Sequence, residues 1–281
     1  MRTVDWLTPA VAALIELSIE EDLGRGDVTT EAVFGDDERP RAGAVVVKEP
    51  LVLCGGVVFA AVLRRVDPRI EIRLPHLDGT CMAPRQTAIE VEGPLRSLLA
   101  GERTALNFLQ RLCGVATRTR HFVDAVAGTR ATIVDTRKTL PGWRHLDKRA
   151  VLCGGGRNHR ADLGSGILIK DNHLAGAGSV REAIERAQFR APHGLRVEVE
   201  VTSTIQLDEA LAAQAEIVLL DNMSPAEVAD AVARIGGRAL IEVSGGVTLE
   251  NVRAYAEAGA DLISVGAITH SATAVDLSLE L

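Results

Sequence analysis

Aromatic residues make up only 3% of the 281-residue chain. A core must therefore be built from Ala, Val, Leu and Ile. Cysteine is sparse as well. Cys54, Cys81, Cys113 and Cys153 form no C-x-x-C pair and stand at no zinc-ligand spacing from a histidine. They read as reduced, mostly buried small hydrophobes. The alternative is a reactive thiol at Cys153, which lies beside a glycine run. No stretch approaches the roughly 18 apolar residues of a membrane span. The N-terminal apolar pattern is broken by Glu16, Glu20, Glu21 and Asp22, so it does not read as a secretory leader. The expectation is a soluble, cytoplasmic protein with no membrane partner. A basic excess is also missing. The formal net charge is −7, which argues against a nucleic-acid partner.

What is present is an ordinary globular composition, 47% apolar. The length suits two domains, or one barrel with an appendage. The cations are unevenly spread. Arg137, Lys138, Arg144, Lys148, Arg149, Arg157, Arg160 and Lys170 crowd one segment, opposed there only by Asp147 and Asp162. An acidic chain that gathers its cations among glycines and strand ends points to a small, highly anionic ligand. A solvated basic face is the plainer alternative.

Periodicity separates two regions. Residues 8–21 predict a helix, with Thr8 as N-cap, Pro9 in the first turn, and Val11, Leu14, Ile15 and Ser18 on one face. GRGDVTT reads as a loop. AGAVVVKE, LVLCGG, IEIRL and TAIEVEG read as short strands. A long helix is expected from about Leu95 to Thr117, with Leu98, Leu99, Leu106, Leu109 and Leu112 as its apolar face. Residues 1–113 thus predict an α+β, sandwich-like N-terminal domain, with the tail 271–281 packing back on it. Over 114–270 the rhythm changes. ATIVDT, GILIK, LRVEVEV, EIVLLD, RALIEVSGG and DLISVG alternate with helices such as SVREAIERA, SPAEVADAV and TLENVRAYAEAG. Every run ends in a polar residue or glycine, as the mouth of a β/α barrel requires. A doubly wound sheet would also carry ligands at its strand ends. The barrel is preferred because nearly every strand contributes. Six clear strands, and a seventh possible at AVLCGG, predict an incomplete six- to seven-stranded β/α barrel.

Period-two alternation in VEVEV puts Glu198 and Glu200 on the face opposite Val197, Val199 and Val201. The glutamates then point into the barrel, where a carboxylate must be paired or bind a cation. Glu200 and Asp221 end neighbouring strands, an arrangement suited to Mg²⁺; salt bridges to barrel cations are the alternative. Ser244-Gly245-Gly246, followed by a helix expected near Thr248, and Ser264-Val265-Gly266-Ala267 on the next strand together suggest a phosphate site. Either is also simple turn chemistry. Lys170 ends a strand, where it either grips phosphate or forms a Schiff base, as in an aldolase.

DTRKTLPGWR at 135–144, GGGRNHR at 154–160, LIKDNH at 168–173, VEVEV at 197–201, LLDNM at 219–223, SGG at 244–246 and VGAITHS at 265–271 resemble the quinolinate phosphoribosyltransferase family. EDLGRGDVTT and GERTALNFLQRLCGVAT resemble it too, so the likeness runs in order along essentially the whole chain. One departure is Ser165, where the family pattern suggests aspartate. The resemblance implies transfer of phosphoribosyl from phosphoribosyl pyrophosphate to quinolinate with decarboxylation. The products are nicotinate mononucleotide, pyrophosphate and CO₂, in de novo NAD biosynthesis. It also implies roles. Arg103, Arg137, His159 and Arg160 would hold quinolinate. Lys138 and Lys170 would bind phosphates and take part in catalysis with Glu200 and Asp221, which would hold Mg²⁺. Ser244, Gly245, Gly246, Gly266, Ala267 and His270 would cradle phosphate. Arg103 would reach the neighbouring subunit's site, making the enzyme a homodimer with composite sites, or a higher oligomer. A relative with another substrate, an aldolase and a non-catalytic anion binder are the competing readings.

Overall fold

The computed structural model describes residues 6–281; residues 1–5 of the expected first domain lie outside the described residues. The chain divides into two compact units. One contains the residues up to Arg120, with Thr139–Gly155 and Thr269–Leu281. The other contains His121–Lys138 and Gly156–Ile268. This division differs from the expected boundaries, 1–113 and 114–270. The reason lies in one long helix and the segment that packs on it.

In chain order the elements begin with α1 (Pro9–Leu23), α2 (Val28–Phe34), β1 (Pro40–Val47) and β2 (Leu51–Val52). They continue with α3 (Gly56–Val66), β3 (Glu71–Arg73), β4 (Cys81–Met82), β5 (Thr87–Pro94) and α4 (Leu95–Ala125). The Thr8 hydroxyl accepts from the Val11 N–H and caps α1, as its sequence signals predict. GRGDVTT is not all loop. Asp27 accepts from the Thr30 N–H at 2.9 Å and starts α2 at Val28. Leu98, Leu106, Leu109 and Leu112 of α4 are fully buried. The helix runs eight residues past the expected end at Thr117, because Val115, Ala116, Thr119 and Phe122 continue its buried face.

The chain continues with β6 (Thr132–Val134), α5 (Arg144–Cys153), β7 (Ile167–Ile169), α6 (Asp171–Ala177), α7 (Val180–Arg190), β8 (Val197–Val201) and α8 (Thr204–Ala212). It ends with β9 (Ile217–Asp221), α9 (Pro225–Ile235), β10 (Leu240–Ser244), α10 (Val252–Glu257), β11 (Leu262–Ser264), α11 (Ala267–His270) and β12 (Leu277–Glu280). The possible seventh strand at AVLCGG is instead the end of helix α5. Leu146, Asp147, Ala150 and Val151 are buried at helical spacing, which outweighs the short apolar run. The Trp143 ring before α5 stacks on Phe108 of α4, with centroids 4.8 Å apart. A side chain at Gly154 would strike the Ala116 carbonyl and Thr119. Thr139–Gly155 therefore belongs with α4.

The first unit holds a four-stranded antiparallel sheet, ordered β12-β1-β5-β3. Strand β12 pairs with β1 through Val45 and Leu279, which ties the tail to this unit. The second unit holds six parallel strands, ordered β6-β11-β10-β9-β8-β7. It is an incomplete β/α barrel: β6 and β7 are not paired with each other, and Arg157 adds a single parallel bridge to Val134 beside β6. Ser224 and Glu227 form a full capping box on α9, whereas Ser179 caps α7 from its own side chain alone. Among the described residues, no helix is long and apolar enough to cross a membrane.

Candidate active site

Strand register builds the barrel interior. Leu168 pairs with Glu198, Glu200 with Leu219, Leu219 with Glu242, and Asp221 with Ser244. Side chains alternate along each strand, so these residues share the inner face. Val199, Val201, Val218, Leu220, Ile241, Val243 and Ile263 occupy the other face and are buried. At the C-terminal strand ends the inner face opens into a cavity of about 620 Å³.

The cavity carries charges of both signs. Arg137, Lys138, Arg160 and Lys170 line it, as do Glu200 and Asp221. Lys170 Nζ lies 2.5 Å from Glu200 Oε2. Asp221 accepts from the Asn222 side-chain amide at 2.6 Å. Burial, and after it the nearby Arg137 guanidinium, lower the pKa of Arg160. Two mutually repelling guanidinium groups in one half-buried pocket call for an anion. Arg160 Nη1 is held by the Gly166 carbonyl at 3.2 Å.

The segment carrying Arg160 is anchored to the end of β6. The Asp135 carboxylate, fully buried, accepts from the His159 N–H at 2.8 Å and from the Asn158 amide at 2.6 Å. The His159 ring is held at both nitrogens. Nδ1 accepts from the Arg160 N–H at 2.7 Å, and Nε2 lies 3.1 Å from Glu198 and 3.5 Å from Glu242. The departure at Ser165 has a local explanation. Its hydroxyl accepts from the Ala161 and Asp162 N–H groups at 2.8 and 3.1 Å and closes the turn after Arg160. An aspartate could accept the same bonds.

Ser244, Gly245 and Gly246 form the opposite rim. Gly245 has φ +91° and Gly246 φ +60°, both in the left-handed region. A Cβ on Gly245 would come within 2.2 Å of Asn222 Oδ1, so that loop and the end of β9 touch backbone to side chain. The helix expected at Thr248 begins later, at Val252, because Asn251 accepts from the Thr248 N–H and makes a turn first. The rim is therefore a glycine loop rather than a helix N-terminus.

Of the residues singled out in the sequence, Arg137, Lys138, His159, Arg160, Lys170, Glu200, Asp221, Ser244, Gly245 and Gly246 meet at this cavity. Gly266 and Ala267 follow β11 in the same unit and are not in its lining. Arg103, exposed on α4, and His270, exposed at the end of α11, belong to the other unit. Cys153 also lies there, buried near Cys54, and not at the cavity. Ser264, from the second loop singled out for phosphate, lines the cavity, as do the strand-end residues Thr136 and Asn222, which carry no role in the sequence reading, and Glu242, which sequence reasoning missed. Glu242 had a signal: Leu240, Glu242 and Ser244 repeat the alternation of VEVEV.

Comparison with known proteins agrees with this geometry. Residues 27–113 match the family description "Quinolinate phosphoribosyl transferase, N-terminal domain", and residues 115–280 match its C-terminal domain. The nicotinate-nucleotide pyrophosphorylase [carboxylating] of Mycobacterium leprae is 44% identical over 275 residues, covering 95% of each chain. The human protein of the same name is 36% identical over 276 residues, covering 96% of this chain and 91% of its own. The solved nicotinate-nucleotide pyrophosphorylase of Francisella tularensis superposes with a TM-score of 0.91 at 37% identity, covering 98% of each chain. With both of its domains matched and relatives this similar along nearly its full length, the chain belongs to the quinolinate phosphoribosyltransferase family.

Proposed function

We propose that this chain transfers the phosphoribosyl group of phosphoribosyl pyrophosphate to quinolinate and releases the carboxylate next to the ring nitrogen as CO₂. Nicotinate mononucleotide and pyrophosphate are the other products. The observation that carries the reading is the cavity itself: four cations and three carboxylates line one barrel mouth, with a glycine loop on its rim.

Each part has work that suits its chemistry. Planar carboxylates are best held by arginine forks, and Arg137 and Arg160 supply two. Lys138 and Lys170 suit phosphate oxygens as compact charges. The left-handed loop at Gly245 and Gly246 lets the backbone approach a phosphate closely. As pyrophosphate leaves the anomeric carbon, positive charge develops on the ribose, and Glu200 and Asp221, both in the cavity wall, would stabilise it. The pyridine nitrogen then forms the new bond. Made cationic, it stabilises the electron pair left on the neighbouring carbon when CO₂ departs, and a proton takes the vacated position.

Mg²⁺ belongs to the proposal. Glu200 and Asp221 fit a hard cation that keeps some of its water: both are oxygen donors, on adjacent strand ends, at the wall of one cavity. When bound, the ion would neutralise charge on the departing pyrophosphate. A homodimer in which Arg103 completes the neighbouring subunit's quinolinate site is likewise proposed, on the family resemblance and the exposure of Arg103. Four free cysteines support a cytoplasmic setting.

The test compares quinolinate with nicotinate, each supplied with phosphoribosyl pyrophosphate and Mg²⁺. Quinolinate is expected to turn over and nicotinate to be poor, because one carboxylate leaves a half-buried guanidinium unpaired. Comparable turnover of nicotinate would contradict the reading, and so would full activity without Mg²⁺.

A further inference from the structure

At the wall of the cavity, reaching into the barrel interior, lies an ionisable cluster that the proposed reaction leaves without a role. Glu198 and Glu242 are buried, with Glu242 only 1% exposed. In register, Glu242 is flanked by Leu219 and Leu262, and the nearby Ser264 hydroxyl of β11 donates to the Val243 carbonyl. Neither of its oxygens has a hydrogen-bond partner, and Oε1 of Glu198 has none either. The polar group that faces both is the His159 ring, at 3.1 and 3.5 Å. A pair of buried carboxyl groups arranged this way costs stability. A fold that keeps them gains something other than stability.

The ring's other nitrogen says what is gained. Nδ1 accepts the Arg160 N–H, so in the neutral ring the proton sits on Nε2 and points at the two glutamates. Reversing the tautomer would set N–H against N–H on one side and leave Glu198 without a donor on the other. The segment from Asn158 to Arg160 is thus clamped twice: through its main chain and the Asn158 amide by Asp135, and through the ring by the barrel floor. We propose that Glu198 and Glu242 are positioning residues for the cavity. By accepting from His159 Nε2, Glu198 holds the ring in one tautomer, with the Glu242 carboxyl beside it at 3.5 Å, and through the Arg160 N–H that the ring accepts they set the arginine fork that takes a substrate carboxylate. His159 then supports the quinolinate site and does not grip the substrate with a ring N–H. The purpose given to the fork rests on the function proposed above.

Two measurements test this separately from that function. The first is ring ¹⁵N NMR of histidine-labelled protein near neutral pH, with the His159 signals assigned by their loss in His159→Gln. The expected spectrum has a protonated Nε2 and a bare Nδ1. A bare Nε2, whether from the other tautomer or from a cation in the proton's place, overturns the proposal whatever the enzyme turns over. The second is binding to Glu198→Met and Glu242→Met, with Glu198→Gln and Glu242→Gln as conservative partners that keep an acceptor. In the Met variants quinolinate should bind about tenfold or more weakly while phosphoribosyl pyrophosphate changes by less than about twofold, and the Gln variants should recover most of the loss. Equal weakening of both substrates, or of neither, overturns the positioning role. If the Met variants do not fold, the Gln variants and the wild-type spectrum decide: a wild-type spectrum as expected, with quinolinate affinity near wild type in the Gln variants, supports it. If wild-type protein binds no quinolinate, the function reading fails and the proposal about the fork falls with it, while the spectrum still decides the tautomer.

Discussion

Lys170 and Glu200 meet across neighbouring strand ends, Nζ to Oε2, at 2.5 Å. The pair joins the cation expected to hold phosphate to the carboxylate expected to face the ribose. Removing either leaves the other alone at the cavity wall. Lys170→Ala and Glu200→Ala should each lower turnover by about 10²–10³, with the circular dichroism spectrum unchanged. Borohydride with a sugar phosphate should trap no adduct on Lys170. A trapped adduct, or wild-type activity in both variants, would reassign the pair.

Glycine at 245 should be far less replaceable than glycine at 246. Both have positive φ, but a Cβ at 245 would meet Asn222 at 2.2 Å, whereas 246 opens on free space. Gly246→Ala should cost only the backbone strain, about 1–2 kcal/mol. Gly245→Ala should cost more and also lower turnover, because Asn222 and with it Asp221 must move. Thermal unfolding and steady-state kinetics on both variants check this. Equal effects would mean that the contact does not matter.

Burial, and then the charge of Glu198, push the Glu242 carboxyl up to about 7, and His159 opposes the shift. Because the folded value lies above the ordinary 4.5, the group favours folding fully below about pH 4.5 and loses that advantage as pH rises through about 7. A shift of this size corresponds to at most about 3 kcal/mol, shared with its coupled neighbours. Glu242→Gln should therefore gain stability relative to wild type as pH rises from about 4.5 to about 7, as read by urea unfolding. Parallel stability curves would show that Glu242 does not titrate in this range.

Arg103 gives the assembly proposal a sharp test. Arg103→Ala and Lys170→Ala subunits should each be nearly inactive alone. In a mixed dimer with composite sites, one site carries both defects and the other carries neither. Mixing should restore activity toward half per mixed dimer. No recovery, with subunit exchange confirmed by mass, would take Arg103 out of the partner's site.

The barrel and most of its site were legible because they rest on period-two alternation and strand-end chemistry. The alternation in VEVEV puts Glu198 and Glu200 on the inner face, and the pairing of Glu200 with Leu219, two residues before Asp221, follows the same rule. Three things were harder to read. AVLCGG is apolar enough for a strand, and only its burial at helical spacing on α4 makes it part of α5. The loop after SGG contains an Asn251 turn that delays the helix, a local hydrogen bond that composition does not announce. His159 stands next to Arg160 in sequence and so looked like a second ligand. Its two nitrogens are spoken for by groups 1 and 39 residues away, and the second of these is a tertiary contact.

The central claim is a transfer coupled to loss of one particular carboxylate. Quinolinate carrying ¹³C in the carboxyl group next to the ring nitrogen tests it directly, with phosphoribosyl pyrophosphate and Mg²⁺ present. The account predicts one labelled CO₂ for each pyrophosphate released, and unlabelled nicotinate mononucleotide by mass. Pyrophosphate release with the label retained in the product, or no release in the presence of quinolinate, would contradict it.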